Sequence, residues 1–178
     1  MKTIYEVLEK DHREVETLFE EIEDALENDR DMVPELFDTL KTELTAHAKA
    51  EQEVFYEPLK VMAEDEEGHE LSWEGGEEHH VICLLLNELS RIPFDSDQWA
   101  AKLKVLSELV DHHVEEEEEE IFKEAKKVFS NDDARQMAES LEELKEVYKG
   151  KIDEALAEDV ELFMHPMLSE QGRSMEQR

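Results

Sequence analysis

His47-Ala-Lys-Ala-Glu51-Gln-Glu-Val-Phe55-Tyr56 and His113-Val-Glu-Glu-Glu117-Glu-Glu-Glu-Ile121-Phe122 decide the fold of this 178-residue chain. Each stretch sets a His and a Glu four residues apart and places an apolar residue four further on. On a helix, positions i and i+4 share a face about one turn apart. The stripe extends upstream in both cases. Phe37, Leu40, Leu44, His47, Glu51 and Phe55 step by 3, 4, 3, 4 and 4, and Leu103, Leu106, Val110, His113, Glu117 and Ile121 repeat those steps. An imidazole and a carboxylate therefore interrupt an apolar stripe twice, where burial without a partner costs several kcal/mol. A shared metal would satisfy all four groups at once.

Outward from these stretches the chain reads as helices. Residues 3–28 form a first helix with Leu8, His12, Val15, Leu18, Phe19, Ile22 and Leu26 inward. Asp31 is expected to cap a second helix, with Pro34 in its first turn and a kink at Pro58. Residues 65–76, with Gly68, Gly75 and Gly76, are expected to be an acidic loop before a third helix over 77–91. Asp95 or Ser96 caps a fourth helix that runs to about Phe129. Ser130 to Asp132 opens a fifth, with Met137, Leu141, Leu144 and Tyr148 on one side, extending past Gly150 towards Phe163.

An internal repeat ties the first four helices together. His12, Val15, Leu18, Phe19 and Ile22 map onto His79, Ile82, Leu85, Leu86 and Leu89 at a displacement of 67. His47, Glu51, Phe55 and Tyr56 map onto His113, Glu117, Ile121 and Phe122 at 66. Two helical hairpins, each offering a His from its first helix and His-x-x-x-Glu from its second, predict an all-α, up-down four-helix bundle with an extra C-terminal helix. The expected organisation is residues 1–130 as the bundle, 131–164 as a helix that covers it or mediates homodimer formation, and 165–178 as a disordered tail. His79 and His113 fit the register; their neighbours His80 and His112 do not, and belong at the rim.

Composition excludes several partners. Nineteen basic residues against 51 acidic leave a formal charge of −32, which repels nucleic acid and anionic membranes. The single cysteine, Cys83, cannot form an internal disulfide, and charge by residue 6 leaves no secretory leader, so a cytoplasmic setting is expected. Six side chains then define a metal site: His12, His47, Glu51, His79, His113 and Glu117. Four imidazoles with two carboxylates suit iron, manganese or zinc better than calcium or magnesium, which prefer all-oxygen shells. Two ions bridged by the two glutamates, with His12 and His47 on one and His79 and His113 on the other, use every ligand. Water, hydroxide or oxo groups complete the coordination. Glu-x-x-His pairs of the ferritin type exist at Glu9/His12 and Glu77/His80, but their displacement of 68 breaks the repeat and leaves His47 and His113 unused. Glu16, His69, Cys83 and His165 are read as outside the site, Tyr56 and Phe122 as packing below it, and the run Glu115–Glu120, Glu117 apart, as a solvated face.

The pattern His12, His47-x-x-x-Glu51, His79, His113-x-x-x-Glu117 resembles the hemerythrin-like HHE domains over roughly residues 1–130. The resemblance implies a carboxylate-bridged di-iron centre that meets oxygen, nitric oxide or peroxide. Oxygen-carrying members place a fifth His four residues before the third-helix ligand; here that residue is Gly75. The expected function is binding or sensing of oxygen or a related small oxidant. The alternatives are a di-iron oxidoreductase that scavenges peroxide or nitric oxide, and an iron-responsive binding protein.

Overall fold

The computed structural model describes residues 2–157. Its helices are α1 (Ile4–Asn28), α2 (Val33–Glu51), α3 (Glu57–Met62), α4 (Glu66–Leu89), α5 (Asp97–Glu116), α6 (Phe122–Val128) and α7 (Asn131–Lys149). Two π-helical segments, Gln52–Tyr56 and Glu117–Ile121, join α2 to α3 and α5 to α6. Four long rods result: α1, α2–α3, α4 and α5–α6. They form a four-helix bundle without strands among the described residues. The expected disordered tail, and the continuation of the fifth helix beyond residue 157, lie outside the described residues.

Local chemistry sets the rod ends. The Thr3 amide donates to Glu6 Oε2 at 2.8 Å, which opens α1. Ser96 Oγ accepts from the Trp99 amide at 3.1 Å, and Ser130 Oγ from the Asp133 amide at 3.2 Å, so α5 and α7 begin on hydroxyl caps. The second helix departs from expectation. A short 3₁₀ turn, Arg30–Met32, leads into it, and Met32 rather than Asp31 is the residue before its first turn.

The stretch expected to be a loop is helical. α4 starts at Glu66 because Asp65 Oδ1 accepts from the Gly68 amide at 2.9 Å, and Glu66 and Glu67 lie at the positive end of the helix dipole. Gly75 and Gly76 are therefore helix-interior glycines, whose cost tertiary packing offsets. The π segments also correct the expected kink. Glu57 N–H bonds to Gln52 O just ahead of Pro58, yet Phe122 N–H makes the same wide bond to Glu117 O with no proline nearby. The wider turn, not the proline, is common to both halves. It keeps two consecutive side chains inside each time, Phe55 with Tyr56 and Ile121 with Phe122, all at most 1% exposed.

Two apolar clusters fill the bundle. One contains Phe19, Ile22, Leu40, Leu86, Trp99 and Leu106; the other contains Ile4, Leu8, Phe55, Phe122, Ala134 and Leu141. Along every rod the chain passes from one cluster to the other through a polar level. α7 packs against α1 and α2. Its most buried residues are Ala134, Ala138, Leu141 and Lys145, and the expected Met137, Leu144 and Tyr148 pack beside them, partly buried, against the second cluster.

Candidate metal centre

The polar level holds all six predicted residues. His12 comes from α1, His47 and Glu51 from the end of α2, His79 from α4, His113 from α5, and Glu117 from the first π-helical position after it. None is more than 4% exposed. His12 Nε2 lies 3.0 Å from Glu117 Oε2, His47 Nε2 3.1 Å from Glu51 Oε2, and His79 Nε2 3.4 Å from the same Glu51 oxygen. Donor atoms of His47, Glu51 and His79 fall within 4.8 Å of one another, as do those of Glu51, His113 and Glu117. Glu51 belongs to both groups. Imidazole centroids are 5.3 Å apart for His12 and His47, 4.5 Å for His79 and His113 and 6.3 Å for His47 and His79. The donor group around Glu51 takes His47 with His79, which differs from the expected grouping of His47 with His12.

Despite these close approaches and full burial, no well-aligned hydrogen bond satisfies His12 Nε2, either Glu51 oxygen, either His79 nitrogen, His113 Nε2 or Glu117 Oε2. Buried polar groups left in this way are costly. Lone pairs of nitrogen and carboxylate oxygen that converge on one level are the donor set a borderline metal needs. The residues present fit such an ion.

A second ring of carboxylates orients the histidines, and the sequence reading missed it. His47 Nδ1 is 3.4 Å from Asp11 Oδ2, His113 Nδ1 2.7 Å from Glu78 Oε2, and His12 Nδ1 2.8 Å from Glu118 Oε1. Each carboxylate is the chain neighbour of one site residue and serves a histidine on a different helix. That adjacency is a signal the sequence contains, but only the packing says which histidine it serves. Glu118 thus does not belong to a purely solvated run; it also receives Arg13 at 2.5 Å. Glu115, Glu119 and Glu120 are exposed. Tyr56 does more than pack, since its hydroxyl donates to Glu117 Oε1 at 3.2 Å. A β-carbon at Gly75 would stand 2.4 Å from the Tyr56 ring, so glycine there makes room for that tyrosine.

Burial and neighbours set the charge states. Burial raises the Glu51 carboxyl, but the adjacent Glu117 carboxyl and the His47 charge outweigh it and hold Glu51 at about 2. Glu117 is pushed up by burial and by the Glu51 charge. Burial lowers His47, yet Glu51 and Asp11 lift it to about 10. His79 is driven well below its ordinary value by burial and by the His113 and His47 charges, which keeps it a neutral donor. Burial and the neighbouring glutamates push the Tyr56 hydroxyl well above its ordinary value.

The remaining candidates lie elsewhere. His112 is exposed and His80 half-buried; His69 is exposed near the start of α4, and His165 lies outside the described residues. Glu16 is exposed and pairs with Arg13 at 3.3 Å, lining a cavity of about 390 Å³ outside His12. Cys83 is buried in the cluster that contains Phe19, Ile22 and Trp99.

The family description "Hemerythrin HHE cation binding domain" matches residues 3–125. A DNA nickase of Nostoc sp. is 28% identical over 135 residues, 76% of this chain but 37% of that protein, so the chain spans little more than a third of it. A hemerythrin-like protein of Schizosaccharomyces pombe is 26% identical over 145 residues, 82% of this chain and 70% of its own length. The crystal structure of a hemerythrin HHE cation-binding-domain protein from Mycobacterium kansasii superposes with a TM-score of 0.72 at 23% identity. The match covers 89% of this chain and 99% of that one, a likeness of fold.

Proposed function

The chain belongs to the hemerythrin HHE cation-binding domain family, and from that premise we propose that it is a non-haem di-iron protein that binds or senses oxygen or a related small oxidant. The observation that carries this reading is the set of buried nitrogen and oxygen atoms at one level that no well-aligned hydrogen bond satisfies. His12, His47, Glu51, His79, His113 and Glu117 would hold the ions. Iron, when bound, supplies Lewis acidity and electrons for a small oxidant. The chain does the rest. Asp11, Glu78 and Glu118 turn three Nε2 atoms towards the centre, as carboxylates behind metal-binding histidines do. Val15, Leu44, Ile82, Val110 and Val114 close an apolar cavity over the four imidazoles, of about 10 Å³. That is roughly the room of a single water molecule, which favours a ligand of very few atoms and excludes bulk water.

The nickase's action on DNA is not carried over, because a formal charge of −32 repels phosphates. No described helix is long and apolar enough to cross a membrane. A cytoplasmic setting remains the reading that the lone cysteine supports. The enzymatic alternative, peroxide or nitric oxide reduction, is favoured by one observation: the Tyr56 ring fills the space beside Gly75 where oxygen carriers have a fifth histidine. The test is anaerobic reconstitution with ferrous iron, metal analysis, and optical spectra before and after air. Two ions per chain and charge-transfer bands on oxidation are expected; clearly fewer ions would sink the dinuclear reading. Sustained turnover of peroxide with a reductant would move the function to the enzymatic alternative.

A further inference from the structure

Asp11 and Glu78 are equivalent under the internal repeat, displaced by 67 as His12 and His79 are. Each accepts from Nδ1 of the second-helix histidine in its own half, His47 or His113. Their surroundings differ. Glu78 lies towards the rim, 3.8 Å from the exposed His112, and among the described residues no lysine or arginine pairs with it. Asp11 is 3% exposed, and its Oδ2 lies 2.5 Å from Nζ of Lys145. Lys145 belongs to α7, which has no counterpart in the repeat, and continues the buried stripe of Ala134, Ala138 and Leu141 with 7% of its side chain exposed. An ammonium in such a place persists only beside an anion. The anion it meets is the one that holds His47.

We propose that Lys145 is a positioning residue that acts on the metal centre through Asp11 and His47 and makes the two halves of the site inequivalent. The proposal rests on the metal-binding reading above. Lys145 takes up part of the Asp11 charge and weakens the pull of Asp11 on the Nδ1 proton of His47. His47 is then a poorer electron donor at Nε2 than His113, whose partner Glu78 meets no such cation among the described residues. An ion held through His47 is accordingly easier to reduce than one held through His113. The helix added to the bundle thereby reaches its chemistry as well as its surface.

The test uses the full chain loaded anaerobically with ferrous iron, as wild type, Lys145→Met, Lys145→Arg and the double variant Asp11→Asn/Lys145→Met beside Asp11→Asn. Iron per chain is counted, and the reduction of the two ions is then titrated. Lys145→Met should move one reduction step to more negative potential and leave the other in place. Lys145→Arg should restore the wild-type curve, and Lys145→Met should add nothing in the Asp11→Asn background. Neither step moving, both moving together, or an undiminished shift without Asp11 would overturn the proposal. The double variant removes both buried charges together, so it also covers the case in which Lys145→Met alone does not fold. A second measurement needs no metal: histidine nitrogen and proton NMR of the metal-free chain. The His47 Nδ1–H resonance should differ between wild type and Lys145→Met, or between Asp11→Asn and wild type but not between Asp11→Asn and the double variant, while His113 stays fixed. A chain that takes up no iron would end the metal reading, and the His47 resonance would still decide whether Lys145 acts on it; an unmoved resonance overturns the proposal.

Discussion

His47 and His80 stand on neighbouring helices but differ in what their burial demands. His47 is 4% exposed, with Asp11 behind it and Glu51 before it, whereas His80 is half-buried at the rim. His47→Ala or Glu117→Ala is expected to lower bound iron far more than His80→Ala, read by metal analysis after anaerobic loading and desalting. Equal losses in all three would contradict the geometry. A second residue pair tests the close approach at α4. In Gly75→Ala the new methyl meets the Tyr56 ring at 2.4 Å, whereas in Gly76→Ala it meets only the flexible ends of Lys60 at 3.1 Å and Gln52 at 3.2 Å. Overpacking of this kind costs about 1–3 kcal/mol, while alanine for glycine in an open helix gains up to about 1 kcal/mol. Urea denaturation should therefore show Gly75→Ala less stable than wild type and Gly76→Ala equal or more stable. The reverse order would mean that Tyr56 is not held against Gly75.

The elements show how caps and wide turns replace the loops expected from glycine content. Asp65 converts residues 66–76 from an apparent loop into the first turns of α4, because one carboxylate oxygen and a favourable dipole suffice to start the helix. Ser130 does the same for α7, with Asp133 returning a bond to the Ser130 amide at 2.9 Å. Ser130→Ala should lower stability by about 1 kcal/mol, measured by chemical denaturation. No change would mean that α7 docks on packing alone. The paired π segments answer a different requirement. Each follows directly on the helix of a buried site histidine, at a buried glutamate, where a strict α register would turn one of the next two apolar side chains away from the core. Such wide turns recur at functional sites.

At the scale of the molecule, two apolar clusters are separated by a level of buried charge that hydrogen bonds only partly satisfy. Folding and metal uptake are therefore linked. If the level takes up iron as proposed, free iron at a thousandfold its dissociation constant should add about 4 kcal/mol to the bundle's stability. At roughly 2–4 °C per kcal/mol for a chain of this size, the melting temperature should rise by about 10 °C on loading and fall back on chelation. Differential scanning fluorimetry with ferrous iron and a chelator reads this directly; identical curves would show that the polar level is stable without an ion.

The bundle and its six central residues were legible because helical period and sequence repeat are both one-dimensional. An apolar stripe with stride 3 and 4 states which face is inside, and a displacement of 66 or 67 states that two hairpins present matching residues. Tertiary structure alone decided the second ring. Asp11, Glu78 and Glu118 each sit one residue from a site residue, yet each serves a histidine some 35 or 106 positions away, as the crossing of helices dictates. Lys145 shows the same limit most plainly. On its own helix it reads as one more surface lysine, and only the packing of α7 against α1 carries its ammonium to a buried carboxylate 134 residues away.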